Sequence, residues 1–282
     1  MNENKKLRLG GVAAALIVCA LLLGGCTGRQ SNSGHEKISV SGSTTVLPIA
    51  QAEAEAYMHN HSNADITVSG GGSGAGITAI GQGTVNIGMS SREVTATEMT
   101  QYPDLVVTTV AKDALVMIVH SSNGVNSINL TAVRGIFNGT IKNWKDIGGS
   151  DLAIVIVGRD SASGTRGYFQ EFVMKNENST SSMLEKNSNG AVKETVSQTP
   201  GAIGYVGLGY TVGGVKALKL DVNGILVEGS AGTVLNKTYP ASRDLFMITK
   251  GAPKGLAKSF IDFILSPAGQ KIVQEQDFVP LK

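Results

Sequence analysis

Ile154-Val155-Ile156-Val157-Gly158-Arg159-Asp160-Ser161-Ala162-Ser163-Gly164-Thr165-Arg166 passes from an apolar run straight into a polar, glycine-containing octapeptide at 159–166. The apolar run reads as a buried strand. Phe169, Phe172 and Val173 then recur at helical spacing, so the octapeptide is a tight turn that opens a helix. Backbone N–H groups at a helix start lack intrahelical partners, and the helix dipole there favours negative charge. Hydroxyls and a guanidinium that grips two oxygens at once turn such a start into a cradle for an anion. An ordinary capped turn with solvated arginines has the same local sequence, so the octapeptide alone leaves both readings open.

Two upstream stretches repeat the device. Ile38 and Val40 alternate with polar residues as a strand, Ser41-Gly42-Ser43-Thr44-Thr45 follows, and Leu47, Ala50, Ala54, Tyr57 and Met58 share a helical face, with Pro48 tolerated in the first turn. Ile66-Thr67-Val68 runs into Ser69-Gly70-Gly71-Gly72-Ser73-Gly74-Ala75-Gly76, where Ile77 and Ile80 suggest a short helix. The strand Val85–Met89 then ends in Ser90-Ser91-Arg92. Strands alternating with helices predict an α/β protein with mainly parallel sheets and right-handed crossovers, and in such sheets ligands sit at the carboxyl ends of strands. The continuous apolar run Ala114–Val119 predicts a central parallel strand. Thr131 is expected to cap a helix through Ile136 and Phe137, and Asn189 one through Val192 and Val196. Trp144, the single tryptophan, reads as a core anchor. Residues 213–237 read as hairpins with glycine turns, Leu245–Ile248 as a buried strand, and Leu256, Phe260, Phe263 and Ile264 as a C-terminal helix ending near Pro267. The central strand and the Ile248 strand are expected to link two α/β lobes.

Length and composition set the class. The 282 residues suffice for one large or two medium domains, and 36 glycines with 5% aromatics fit an α/β chain rich in tight turns. Lys5, Lys6 and Arg8 precede an apolar stretch from Gly11 to Leu23, which is short for a membrane span and ends in Leu23-Gly24-Gly25-Cys26. This resembles a bacterial lipoprotein signal: residues 1–25 would be removed and Cys26 would carry the lipid. Cys19 would leave with the leader, and no disulfide would remain. Three basic residues and one acidic residue would go too, taking 24 Lys/Arg and 22 Asp/Glu to 21 and 21. A neutral mature chain gives no electrostatic case for nucleic acid. Residues 26–36 read as a flexible tether.

Other chemistries find little support. Gly74-Ala75-Gly76-Ile77-Thr78-Ala79 satisfies a permissive dinucleotide pattern, with Glu93 at a plausible distance for a ribose, but glycine-rich segments match it often. No Gly-Lys-Ser/Thr follows the glycines. His59-Asn60-His61 is the one close histidine pair and has no carboxylate or thiol cluster beside it, and Ser73 and Ser163 lack the G-x-S-x-G elbow. No cofactor is implied. Dispersed hydroxyls and free N–H groups with few full charges are what binding a desolvated anion needs.

GSTTV at 42–46, SGGGSGAGI at 69–77, IGMSSRE at 87–93 and RDSASGTR at 159–166 resemble the substrate-binding lipoproteins of bacterial and archaeal ABC phosphate importers. IFNGTIKNWKDI at 136–147, TPGAIGYV at 199–206 and YPASRDLFMITKG at 239–251 fit the same family, so the resemblance spans the mature chain in order. It implies a type II periplasmic-binding-protein fold with two α/β lobes closing on phosphate, which we divide as 37–115 with 240–282 and 116–239. The family's ligand contacts fall on Thr44 and Thr45, on Ser73, and on Arg159, Ser163, Gly164 and Thr165. In the best-known members a carboxylate stands at the position of Ser91, accepting the proton of hydrogen phosphate and repelling sulfate. Here the residue is serine with Arg92, the second candidate cation, beside it, and Asp160 either supplies the missing acceptor or braces Arg159.

The resemblance further implies a non-enzymatic, monomeric protein on the extracytoplasmic face of the cell membrane. It would contact the membrane through its lipid alone and hand phosphate to an ABC permease and its ATPase complex. An exported phosphatase or phosphotransfer enzyme on the same lobes is the alternative.

Overall fold

The computed structural model describes residues 35–281; the expected leader at 1–25, Cys19, Cys26 and the expected tether up to residue 34 lie outside the described residues. The first part of the described chain comprises β1 (Glu36–Gly42), α1 (Leu47–Asn60), β2 (Ala64–Ser69), α2 (Ser73–Gly81), β3 (Ile87–Ser90) and α3 (Ala96–Gln101). Next come β4 (Leu105–His120), β5 (Ser127–Ile128), α4 (Leu130–Phe137), β6 (Val155–Arg159), α5 (Gly164–Phe172), β7 (Leu184–Lys186) and α6 (Asn189–Gln198). The remainder is β8 (Ala202–Gly207), β9 (Val215–Ala217), β10 (Lys219–Val222), β11 (Ile225–Val227), α7 (Ala231–Leu235), β12 (Ser242–Lys250), α8 (Gly255–Leu265) and α9 (Pro267–Glu275).

One sheet runs β2-β1-β3-β12-β4-β8-β6-β7, with β9 beside β4, and a small sheet runs β11-β10-β5. The group β2-β1-β3 is parallel, as is β7-β6-β8. Between them β4 runs antiparallel to β12, β8 and β9, so the expected parallel central strand is not found. A continuous apolar run reports burial on both faces, and burial does not fix direction. The first two-thirds of β4 pairs with β12, and Leu115–Val119 pairs with β8.

Two large apolar clusters lie along these crossing strands. Val110, Ala111, Leu245 and Met247 belong to one, with Val40, Ile49, Ile87 and Phe260. Ala114 to Val119 and Ala241 belong to the other, with Phe137, Trp144, Phe169 and Tyr205. Trp144 is buried as expected, and its Nε1 donates to the Gly201 carbonyl at 3.0 Å, so the indole brings its own polar group a partner.

Several local expectations are corrected. Asn129, not Thr131, caps α4: its backbone is extended and its side chain accepts from Ala132 N at 2.8 Å, while Thr131 already lies inside the helix. In the 213–237 region only β10 and β11 form a hairpin, turning through Asn223 and Gly224, both at positive φ; β9 joins β4 and residues 231–235 are helical. Pro267 does not merely follow the last helix but opens another, α9, capped by the Ser266 side chain; proline fits a first turn where no N–H is needed.

Candidate functional site

Four helices begin where strands of the parallel groups end: α1 after β1, α2 after β2, α5 after β6 and α6 after β7. Their opening turns meet. Gly74 N donates to the Ala162 carbonyl at 3.0 Å, and Gly164 packs so tightly that a Cβ there would stand 2.1 Å from Ser73 Oγ and 2.9 Å from Ser91 Oγ. Any side chain at 164 would push these turns apart.

Thr45 Oγ1 lies 2.9 Å from Thr165 Oγ1, both fully buried. Thr44 Oγ1 accepts from the backbone N and Nδ2 of Asn189, at 3.4 and 3.1 Å, and its carbonyl accepts from the Tyr210 hydroxyl at 2.6 Å. Ser73 Oγ accepts from Ser91 N at 3.0 Å and sits 3.4 Å from Ser91 Oγ. Ser163 caps α5, accepting from Arg166 N at 3.2 Å. Thr44, Thr45, Ser73, Ser91, Arg159, Ser163, Gly164 and Thr165 are thus all buried at these junctions.

Arg159 is 1% exposed. Its Nε and Nη2 donate to the carbonyls of Lys186 and Asn187, at 3.1 and 3.2 Å, and Nη1 is buried with no partner. Burial pulls its pKa down, Tyr205 and Asp160 oppose the fall, and Arg243 adds to it. An arginine stays charged regardless, so this is a desolvated cation held by neutral carbonyls. Asp160 is half-buried, and its Oδ1 is shielded from solvent with no hydrogen-bond partner.

Arg92 stands apart. Its guanidinium is committed bidentately to Glu98, with Nη1–Oε2 2.8 Å and Nη2–Oε1 2.7 Å, on a partly exposed side chain at the rim. Glu98 in turn closes the capping box of α3; burial pushes its carboxyl up, but Arg92 and Thr95 together outweigh burial and hold it below the usual range.

Three further residues join the buried cluster without having been expected there. Arg243 on β12 pairs with Asp113, directly opposite on β4: Nε and Nη2 reach Oδ2 at 3.0 and 2.7 Å. Nη2 also reaches Thr165 Oγ1 at 3.1 Å and Thr45 Oγ1 at 3.4 Å, while Nη1 is buried without a partner. Asp113 Oδ1 accepts from Leu208 N at 2.8 Å; burial raises its pKa and Arg243 opposes the rise. Asn189 is not the expected cap of α6, a role Ser188 fills by accepting from Ala191 N at 3.1 Å. It is the first helical residue, and its side chain points into the cluster. The signal for Asp113 and Arg243 was available: each is a charged residue at the edge of an apolar strand run, and such charges persist inside only when paired.

A family model described as a PBP superfamily domain matches residues 27–268. The phosphate-binding protein PstS of Bacillus subtilis is 34% identical, with 100% of this chain and 95% of that protein aligned. PstS of Borreliella burgdorferi is 34% identical over 89% of this chain and 92% of its own length. Among solved structures, a putative phosphate ABC transporter substrate-binding protein with bound phosphate from Clostridium perfringens superposes with a TM-score of 0.82 at 37% identity, over 88% of this chain and all of that one. An ABC-type phosphate transport receptor from Vibrio cholerae gives a TM-score of 0.70 at 31% identity, over 86% and 99%.

Proposed function

We propose, since this chain belongs to the phosphate-binding substrate-binding proteins and has their type II periplasmic-binding-protein fold, that it captures inorganic phosphate between two lobes and delivers it to an ABC permease with its ATPase. The observation that carries this reading is the desolvated Arg159, with an unpartnered Nη1, among buried hydroxyls at the starts of four helices. A dianion or monoanion supplies what that cation lacks, and dispersed donors spread the remaining charge. Thr44, Thr45, Ser73, Ser91, Ser163, Gly164 and Thr165 provide the hydroxyls and backbone N–H groups, and Arg92, already paired with Glu98, contributes from the rim. The lobes are residues 37–115 with 240–282 and residues 116–239, joined by β4 and β12. Calorimetric titration of residues 35–282 with phosphate, sulfate and arsenate tests the reading, and a chain that binds none of them sinks it. Release of phosphate from a monoester in the presence of a divalent metal would favour an exported phosphatase instead.

The unpartnered Asp160 Oδ1 supports a second part of the proposal: it accepts the proton of bound hydrogen phosphate in place of the carboxylate that Ser91 lacks. A carboxylate facing the ligand repels sulfate, which carries no proton, and loses its hydrogen bond as phosphate itself deprotonates. Asp160→Asn is expected to narrow the phosphate-to-sulfate affinity ratio and to flatten the fall of phosphate affinity at high pH. An unchanged ratio would leave Asp160 as a brace for Arg159 only.

Anchoring by lipid at Cys26, on the extracytoplasmic face, completes the proposal. Cys26→Ser is expected to block processing or release the chain from membranes, as followed by fractionation; normal cleavage with full membrane retention would contradict it.

A further inference from the structure

Gly167 lies inside α5 and has no positive φ, so alanine would fit its backbone and favour the helix more. The reason for a glycine lies across the cleft. A Cβ at 167 would stand 2.9 Å from Arg92 Cδ and 3.5 Å from Arg92 Nε, so the bare helix backbone packs directly on the arginine stem. Gly164, three residues earlier on the same helical face, meets Ser73 and Ser91 in the same way. In the division proposed above, Arg92 belongs to one lobe and α5 to the other.

A long side chain at a protein surface ordinarily yields to an added methyl by changing rotamer. Arg92 is held at both ends. Beyond its two bonds to Glu98, Nη1 donates to the Glu93 carbonyl at 2.8 Å, and Glu98 is itself fixed by Thr95 N and Oγ1, which donate to Oε2 at 2.8 and 2.9 Å. At the other end Arg92 N donates to Ser90 Oγ at 3.3 Å, and the Arg92 carbonyl accepts from that hydroxyl at 2.6 Å. The side chain between these anchors is 20% exposed and also passes Gly74, where a Cβ would lie 3.8 Å from Nη2. The guanidinium pairing holds the stem still, and the stem is the part that Arg92 presents to α5.

We propose that Arg92, clamped by Glu98, is a positioning residue: its stem is the post on which Gly167 seats when the cleft closes, and the closeness of that fit sets how slowly phosphate leaves. This inference rests on the phosphate reading above, and it makes the contribution of Arg92 from the rim a steric one. A better-fitting closed state slows dissociation and leaves the encounter of phosphate with the open cleft unaltered.

The test is a double-mutant cycle on the full chain in detergent, with release of inorganic phosphate followed by stopped flow. Gly167→Ala is expected to speed release about tenfold or more, the effect of overpacking a close contact. Melts of the phosphate-free protein are expected to hold or rise, because the cleft is then open and alanine favours the helix. In the Arg92→Ala background, Gly167→Ala is expected to change release by less than about twofold, since the methyl no longer meets a stem. Equal acceleration in both backgrounds would place the clash elsewhere, no acceleration in either would show that the seat does not limit release, and a fall in phosphate-free stability would show damage to α5 itself; each overturns the inference. Should Gly167→Ala fail to fold, Arg92→Met is compared with Arg92→Ala. Methionine keeps an unbranched stem without the charge, so it is expected to release phosphate more slowly than alanine does, and equal rates would show that Arg92 acts by charge, which also overturns the inference. A wild-type chain that binds no phosphate overturns the underlying reading as well, whereas wild-type binding with any of these contrary results overturns this inference alone.

Discussion

Arg159→Ala is expected to weaken phosphate binding by about 30-fold or more, with enthalpy and affinity both read by titration at fixed pH and ionic strength. Truncating a buried charge partner costs about 2–5 kcal/mol, and each 1.4 kcal/mol is about tenfold. The size follows from how the guanidinium is held. Two of its nitrogens are tied to the carbonyls of Lys186 and Asn187, which orient the group without neutralising it, and the third is buried and unpartnered. Arg243 cannot substitute, because Asp113 already offsets its charge at 2.7 Å, and Arg92 adds only what its pairing with Glu98 leaves. Thr165→Ala or Ser73→Ala removes one neutral donor each and is expected to cost less, about 1–3 kcal/mol. Should Arg159→Ala bind within threefold of wild type, the anion would have to sit away from the octapeptide.

How much of this was legible in the sequence depends on whether the signal was local. The octapeptide announced its own strand, turn and helix through periodicity and turn chemistry, and Ser163, Gly164 and Thr165 stand in the structure as a cap, a close-approach glycine and a buried hydroxyl. The turns at 41–45 and 69–76 were legible for the same reason. Arg243 and Asp113 each showed as a charge at the edge of an apolar run, but that they pair with each other was not legible, because it depends on a register between strands separated by 130 positions, which no window of sequence contains. Asn189 was misplaced by one residue: Ser and Asn are both strong caps, and only the extended backbone at Ser188 decides between them. That one-residue shift matters functionally, since it turns a capping side chain into a donor for Thr44 and Thr45. The direction of β4 failed for a physical reason too, since apolar runs encode depth and not polarity of the chain.

Glu53→Met is expected to make the phosphate-free protein more stable, by an amount that grows as pH rises from about 5 to 8 and is constant above. Glu53 lies on the buried face of α1 with no exposed surface, and neither carboxylate oxygen has a hydrogen-bond partner. Burial pushes its carboxyl from 4.5 up to about 8. The folded chain therefore holds a proton that the unfolded chain has already released. Between these two values the unfolded state binds fewer protons than the folded one, so stability falls with rising pH, by about 1.4 kcal/mol per pH unit from this group alone. Below the unfolded value both states are protonated and the penalty vanishes; above the folded value both are ionised and it stops growing. Across the full interval the loss is on the order of 4–5 kcal/mol, a large share of the ~5–15 kcal/mol that stabilises an ordinary domain. Methionine keeps the length of the side chain and carries no titrating group, so it abolishes the slope rather than merely shifting it. Denaturant melts of both proteins at pH 5, 6.5 and 8, in buffer without phosphate, measure the difference directly. A wild-type-to-variant gap that is the same at pH 5 and pH 8 would mean that Glu53 is solvated or paired in the folded chain, and that α1 does not carry a protonated carboxyl into the core.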